Sequence, residues 1–107
     1  MSSSEPILIV IMTTFPDVDQ ANSIAKILVS EQLAACVQVM PSMTSTYSWK
    51  GELCHDTEHL VLIKTLQTNY EPLAARLRSL HPYETPEIIA IPAIAVDQDY
   101  LNWIISL

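Results

Sequence analysis

The segment His81-Pro82-Tyr83-Glu84-Thr85-Pro86-Glu87 carries the densest chemistry in the chain: an imidazole, a phenol and two carboxylates. Prolines stiffen it at both ends, and a stiff loop on a rigid scaffold is a common place for binding groups. His81, Glu84 and Glu87 are candidate metal ligands, because imidazole and carboxylate both donate to divalent cations. The same residues have a structural use. His81 can close a preceding helix, where the dipole favours it, while Tyr83 packs on a sheet. A second group, Cys54, His55 and His59, also has the residue types of a ligand set. A four-residue spacing would align two imidazoles on a helix and lets them converge in a turn. In a strand it parts them by about 13 Å, beyond the reach of one ion. The strand geometry is favoured and leaves them as surface histidines on a hairpin.

Covalent catalysis finds little footing. Gly51 is the only glycine, which excludes a Walker-type phosphate loop and a dinucleotide-binding loop. Neither Gly-x-Ser-x-Gly nor His-Glu-x-x-His occurs, so the common serine-hydrolase and zinc-protease patterns are absent. Cys36 and His81 could pair as nucleophile and base by residue type, yet nothing positions a third group. The chain is expected to bind rather than to catalyse.

The elements that must position these residues follow from the hydrophobic periods. Ile7 to Thr14 lacks polar alternation and predicts a strand buried on both faces. Asp17 with Gln20 suits a helix start; Ala21, Ile24, Ala25 and Leu28 carry the helix to about Leu33. Ala34 to Met40 leads into Pro41. From Met43 to Lys50 the residues alternate, with Met43, Ser45, Tyr47 and Trp49 on one side. Lys50-Gly51 marks a turn, and Thr57 to Thr65 returns as the partner of a long hairpin. Thr68 to Glu71 reads as a capping box before a helix with Leu73, Leu77 and Leu80, stopped by Pro82. Glu87 to Ile94 is a fourth strand. Asp97 or Asp99 then caps a C-terminal helix bearing Tyr100, Trp103, Ile104 and Leu107.

This order, β-α-β-β-α-β plus a helix, predicts an α+β, ferredoxin-like sandwich as one domain, with residues 1–6 a flexible N-terminus. The first and third strands should be central. Pro41 and Pro92 fall in the two edge strands, where a missing N–H is tolerated. Both helices of such a fold cover one sheet face. The first strand is apolar on both sides, and Leu60 and Leu62 alternate with Val61 and Ile63. The uncovered face would be a larger apolar patch than monomers usually expose, so burial against further copies is expected. Only 16% of the 107 residues are charged, against 50% hydrophobic, in keeping with a subunit that buries part of its surface. The formal net charge is −7; it repels phosphate backbones and makes nucleic acid an unsuitable partner. No apolar run is long enough to cross a membrane. The first residues lack the basic start of a signal peptide, and two cysteines make no disulfide framework. The cytoplasm is the expected location.

Several segments together resemble the CutA family of divalent-cation tolerance proteins. They are Leu33-Ala34-Ala35-Cys36-Val37, Thr44 to Leu53 with its Tyr-x-Trp-x-Gly, Lys64-Thr65, His81 to Pro92, and Tyr100-Leu101-Asn102-Trp103. The match runs through nearly the whole chain in order. The resemblance implies a homotrimer of ferredoxin-like subunits, similar in architecture to PII signalling proteins and linked to tolerance of copper and other divalent metals. It makes Cys36 a candidate copper ligand beside His81, since thiolates suit Cu(I), although a cysteine among small apolar residues is more readily a core residue. Tyr47, Trp49 and Trp103, with Lys64, Tyr83 and Tyr100, become candidates for an intersubunit cleft or interface, which aromatic residues commonly anchor. The alternative function is a PII-like signalling or adaptor module that binds a small molecule or protein partner in that cleft. Two departures stand out. Ala95-Val96-Asp97 replaces a family glycine, and Cys54-His55 stands where charged residues are usual.

Overall fold

Strand β1 (Leu8–Phe15) leads into helix α1 (Val18–Ser30), and two long strands follow, β2 (Cys36–Trp49) and β3 (Glu52–Leu66). A 3-10 turn (Gln67–Asn69) opens helix α2 (Tyr70–Leu80), followed by β4 (Ile89–Pro92) and α3 (Gln98–Ile105). This computed structural model describes residues 6–107; apart from Pro6, the expected flexible N-terminus lies outside them. The strands form one antiparallel sheet in the order β2-β3-β1-β4. The α+β order and the two central strands are those the sequence predicts.

Register assigns each side chain to a face. In β1, Ile9, Ile11, Thr13 and Phe15 stand opposite Thr65, Ile63, Val61 and His59 of β3. This face meets α1 and α2, and its core joins Ile9, Ile11, Phe15, Val61 and Ile63 to Ala21, Ile24, Leu28, Leu73 and Leu77. Each large apolar side chain buried there contributes about 1.5–3 kcal/mol. On the other face Leu8, Val10, Met12 and Thr14 stand opposite Leu66, Lys64, Leu62 and Leu60. Ile89 and Ile91 of β4 extend that face to the sheet edge, where each is nearly half exposed.

Helix α1 starts as predicted, with Asp17 Oδ2 accepting from the Gln20 N–H at 3.0 Å. It stops at Ser30 rather than near Leu33. Gln32 adopts φ 62°, the Leu33 N–H reaches the Leu28 carbonyl, and the Gln32 N–H reaches that of Val29. That is a Schellman termination with glutamine where glycine is usual. The expected capping box at Thr68 does not form. Thr68 lies in the 3-10 turn, and Asn69 occupies the N-cap with no capping side-chain bond. The cap of α3 is Asp97, whose Oδ2 accepts from the Asp99 and Tyr100 N–H groups. Strand β4 is four residues, shorter than the expected Glu87 to Ile94.

The largest revision concerns the hairpin. The two apolar stretches before and after Pro41 are one strand, and β3 begins at Glu52, not Thr57. Val39 pairs with Val61 but Ser42 pairs with His59, so Met40 and Pro41 together oppose Leu60. One extra residue makes a bulge, and because side chains alternate with period two, every later residue of β2 changes face. Before the bulge Val37 and Val39 turn to the core. After it Met43, Ser45, Tyr47 and Trp49 turn to the open face. His59 Nδ1 donates to the Met40 carbonyl at 3.1 Å and fastens the irregularity. Beyond His59 the two strands run on alone as an arm about 20 Å long. A two-residue turn closes it, with Lys50 at φ 51° and Gly51 at φ 80°, the type I′ geometry that matches strand twist.

Candidate functional site

At the arm's base, the chain leaving α2 crosses the edge of β1 that β4 leaves unpaired beyond Met12. The half-buried His81 ring stacks on Phe15, with centroids 4.3 Å apart and planes 18° from parallel. Its Nδ1 accepts the Tyr83 N–H at 3.2 Å, so the proton sits on Nε2 and is donated to Thr13 Oγ1 at 3.1 Å. Burial pushes the imidazole below its usual titration range, against opposing effects from a Thr14 backbone hydrogen bond and the Glu58 charge. His81 therefore works as a neutral brace with both nitrogens engaged.

Tyr83 follows and reaches round to the open face, where its hydroxyl donates to Glu58 Oε2 at 2.6 Å. Glu58 is only 8% exposed. Burial alone would raise its pKa, but hydrogen bonds from Tyr83, Ser45 and Thr14 together outweigh that and hold the carboxyl below its usual range. The Tyr83 phenol is pushed up by burial and by the same carboxylate. Along the arm, Tyr47 donates to Asp56, which pushes that phenol up to about 12.

These groups surround a cavity of about 640 Å³. Thr14, Ser45 and Glu58 line it together with the rings of Tyr47, Trp49 and Tyr83, and Glu84, Thr85 and Glu87 complete the lining. Three carboxylates face it and no lysine, arginine or histidine does. A buried charge held ionised by neutral donors leaves a negative potential that only an incoming cation can neutralise. The aromatic faces add to that attraction, as Lys50 illustrates by lying over Trp49 with Nζ 5.5 Å from the ring centroid.

Among the sequence-predicted residues, Glu84, Glu87, Tyr83, Tyr47 and Trp49 come together here, with His81 behind them. Cys36 does not join them. It stands half-buried on the open face opposite Lys64 of β3, whereas His81 sits on the helix-covered face, so the two share no ion within one subunit. Lys64, Tyr100 and Trp103 form a separate group at the other end of β3. There Lys64 Nζ lies 5.8 Å from the Tyr100 ring, and the Tyr100 and Trp103 centroids are 5.7 Å apart. Cys54 and His55 are consecutive strand residues on opposite faces; His55 Nδ1 pairs with Thr46 Oγ1 at 3.0 Å, and His59 is used at the bulge. Among the described residues no three His, Cys, Asp or Glu side chains gather into a metal-binding group.

Glu58 and Asp56 are the residues that sequence reasoning misses. Glu58 occupies the position after Leu62 and Leu60 in the apolar alternation of β3. An acid in that row is the signal, but it has meaning only once β3 is known to extend through it.

The family model "CutA1 divalent ion tolerance protein" matches residues 9–106. The chain is 44% identical over 95 residues to the "Divalent-cation tolerance protein CutA" of Thermus thermophilus, covering 89% of this chain and 92% of that one. It is 38% identical over 96 residues to "Protein CutA, chloroplastic" of Arabidopsis thaliana, of which it spans 53%. The solved CutA1 of Oryza sativa superposes with a TM-score of 0.91 at 34% identity, over 97% of this chain and 95% of that one. With the family model matched from β1 to α3 and the fold superposing over nearly the whole chain, the chain belongs to the CutA1 divalent ion tolerance protein family.

Proposed function

We propose that this protein is a homotrimer that binds divalent cations at the carboxylate-lined cavity and carries out no chemistry on them. The observation that carries the reading is Glu58, a buried and ionised carboxylate facing a cavity with no basic side chain in its lining. Both phenols there are spent as donors to carboxylates and resist ionisation, so neither serves as a nucleophile at neutral pH. Glu84 and Glu87 are the ligands with freedom to move onto an ion, since both are exposed. Such oxygen donors suit hard divalent cations and Cu²⁺ better than Cu⁺. His81 becomes a ligand only by giving up one of its two hydrogen bonds. Among the described residues one subunit holds no finished coordination shell, so in this proposal the remaining donors come from a neighbouring copy or from water.

The trimer is supported by the apolar open face and by the arm, because an isolated two-stranded ribbon is marginal in water. A cytoplasmic setting is supported by the cysteines. Cys36 of β2 lies opposite Lys64 and Cys54 of β3 lies opposite Tyr47, at the two ends of the hairpin, so both are free thiols that cannot join within one chain.

Isothermal titration with Mn²⁺, Zn²⁺ and Cu²⁺ tests the binding. A saturable site that the Glu84→Gln/Glu87→Gln double variant weakens at least about tenfold is expected; equal binding by both proteins removes the proposal. A PII-like small-molecule site is a second reading, favoured by three aromatic rings around a ligand-sized volume. A thermal-shift screen that responds to metabolites and not to cations would select it.

A further inference from the structure

A second cavity, of about 350 Å³, lies at the opposite end of the sheet between α1, the end of β3 and α3. From Glu58 in the first cavity to Leu66 in this one is eight strand residues, about 27 Å. We propose that it is a separate binding site for a small neutral molecule carrying one ring and one hydrogen-bond donor, of the phenol or indole class.

The sharp end of α1 leaves the space open. Gln32 turns the chain toward β2 with φ 62°, and Ala35 contributes only a methyl group to the lining. Val29, Leu66, Trp103 and Ile104 form apolar walls, and Trp103 is 45% exposed. At about 30 Å³ for each water-sized group, the volume takes roughly a dozen non-hydrogen atoms.

Asn69 supplies the polar contact. Thr65 Oγ1–H donates to the Leu33 carbonyl at 2.8 Å, so the Thr65 oxygen can only accept from Asn69 Nδ2, 3.1 Å away. That orients the amide. Its oxygen caps no N–H of α2 although Asn69 holds the N-cap, which leaves an acceptor for a hydroxyl or ring N–H. No basic side chain lines the cavity, so an anion of the same shape finds no partner. A walled apolar volume with few fixed polar groups is the usual form of a small-molecule site.

Ligand-observed NMR with p-cresol, benzoate and toluene tests this. Saturable p-cresol binding at about 1 mM or tighter is expected, with benzoate at least about tenfold weaker. Ala35→Leu fills the cavity and Val29→Trp closes its mouth from an exposed helix position; each should weaken p-cresol at least about tenfold. Should Ala35→Leu fail to fold, Val29→Trp decides. Asn69→Ala should weaken p-cresol and leave toluene unchanged. Absent saturation, undiminished binding in the folded filling variants, or benzoate binding as well as p-cresol overturns the site. Equal loss of p-cresol and toluene in Asn69→Ala overturns the hydrogen bond. Val29→Trp should titrate with divalent cations as the native protein does, which keeps this site's failure distinct from that of the cation site.

Discussion

His81 and Glu58 give the site a defined response to acid. Both have folded-state pKa values below their ordinary ones. For His81 the neutral ring is the native form, so its contribution is whole above the ordinary histidine value and declines as pH falls through about 6.5. For Glu58 the ionised form is native; its contribution is present above about 4.3 and is lost as pH falls through the lower folded value. Chemical denaturation from pH 8 to pH 3 should thus show stability falling in two steps. His81→Gln should remove the upper step, and Glu58→Gln should shrink the lower, which the Arg76-paired Glu31 shares. If both variants keep the native profile, the tautomer assignment and the Tyr83–Glu58 bond are wrong. Backbone strain provides a simpler test. Gln32 holds a left-handed conformation that glycine adopts freely, so Gln32→Gly should stabilise the protein by about 1 kcal/mol, read as a higher denaturation midpoint.

Among elements, the bulge in β2 decides what the arm displays. Deleting Pro41 would restore an unbroken ladder and rotate Tyr47 and Trp49 to the other face. Far-UV circular dichroism should then remain, while the Trp49 environment in near-UV spectra changes and cation binding falls to background. Retained binding would mean that the arm contributes nothing to the site. Phe15 matters for a different reason, since it is fully buried and carries the stacked His81 ring. Phe15→Ala should cost about 3–5 kcal/mol and loosen the loop through Glu87, seen as faster amide exchange there than in α1. The histidines show how much an element's extent controls. With β3 beginning at Glu52, His55 and His59 are held in extended chain, so the turn in which they could converge does not exist.

For the whole molecule, the long axis of 49 Å against 28 and 24 Å records how far the arm projects from the sheet. The open face beside it is apolar from Leu60 and Leu62 through Met12 and Val10 to Ile89 and Ile91. Helix α3 covers only the Lys64 end, through Tyr100. Three copies that bury this face would remove both exposures at once. Ile91→Lys, at a position 47% exposed in one subunit, should convert the native sedimentation boundary to that of a folded monomer. A native protein that is already monomeric at micromolar concentration would end the trimer proposal.

The βαββαβ order, the central strands and the cap at Asp17 were legible in the sequence, because hydrophobic period and capping chemistry are local properties; the last helix's cap was narrowed to Asp97 or Asp99, and the box read at Thr68 did not form. Also legible was the loop through His81 and Glu87, whose residue types and prolines mark it without a structure. The partners of those residues depended on tertiary structure. A bulge of one extra residue shifts parity only through the pairing of β2 with β3, and Glu58 becomes a buried charge only when Tyr83, Thr14 and Ser45 converge on it from three other segments. Contacts between residues 13 to 44 positions apart in the chain carry no local pattern, so the sequence could name candidate site residues while the fold alone decided which of them meet.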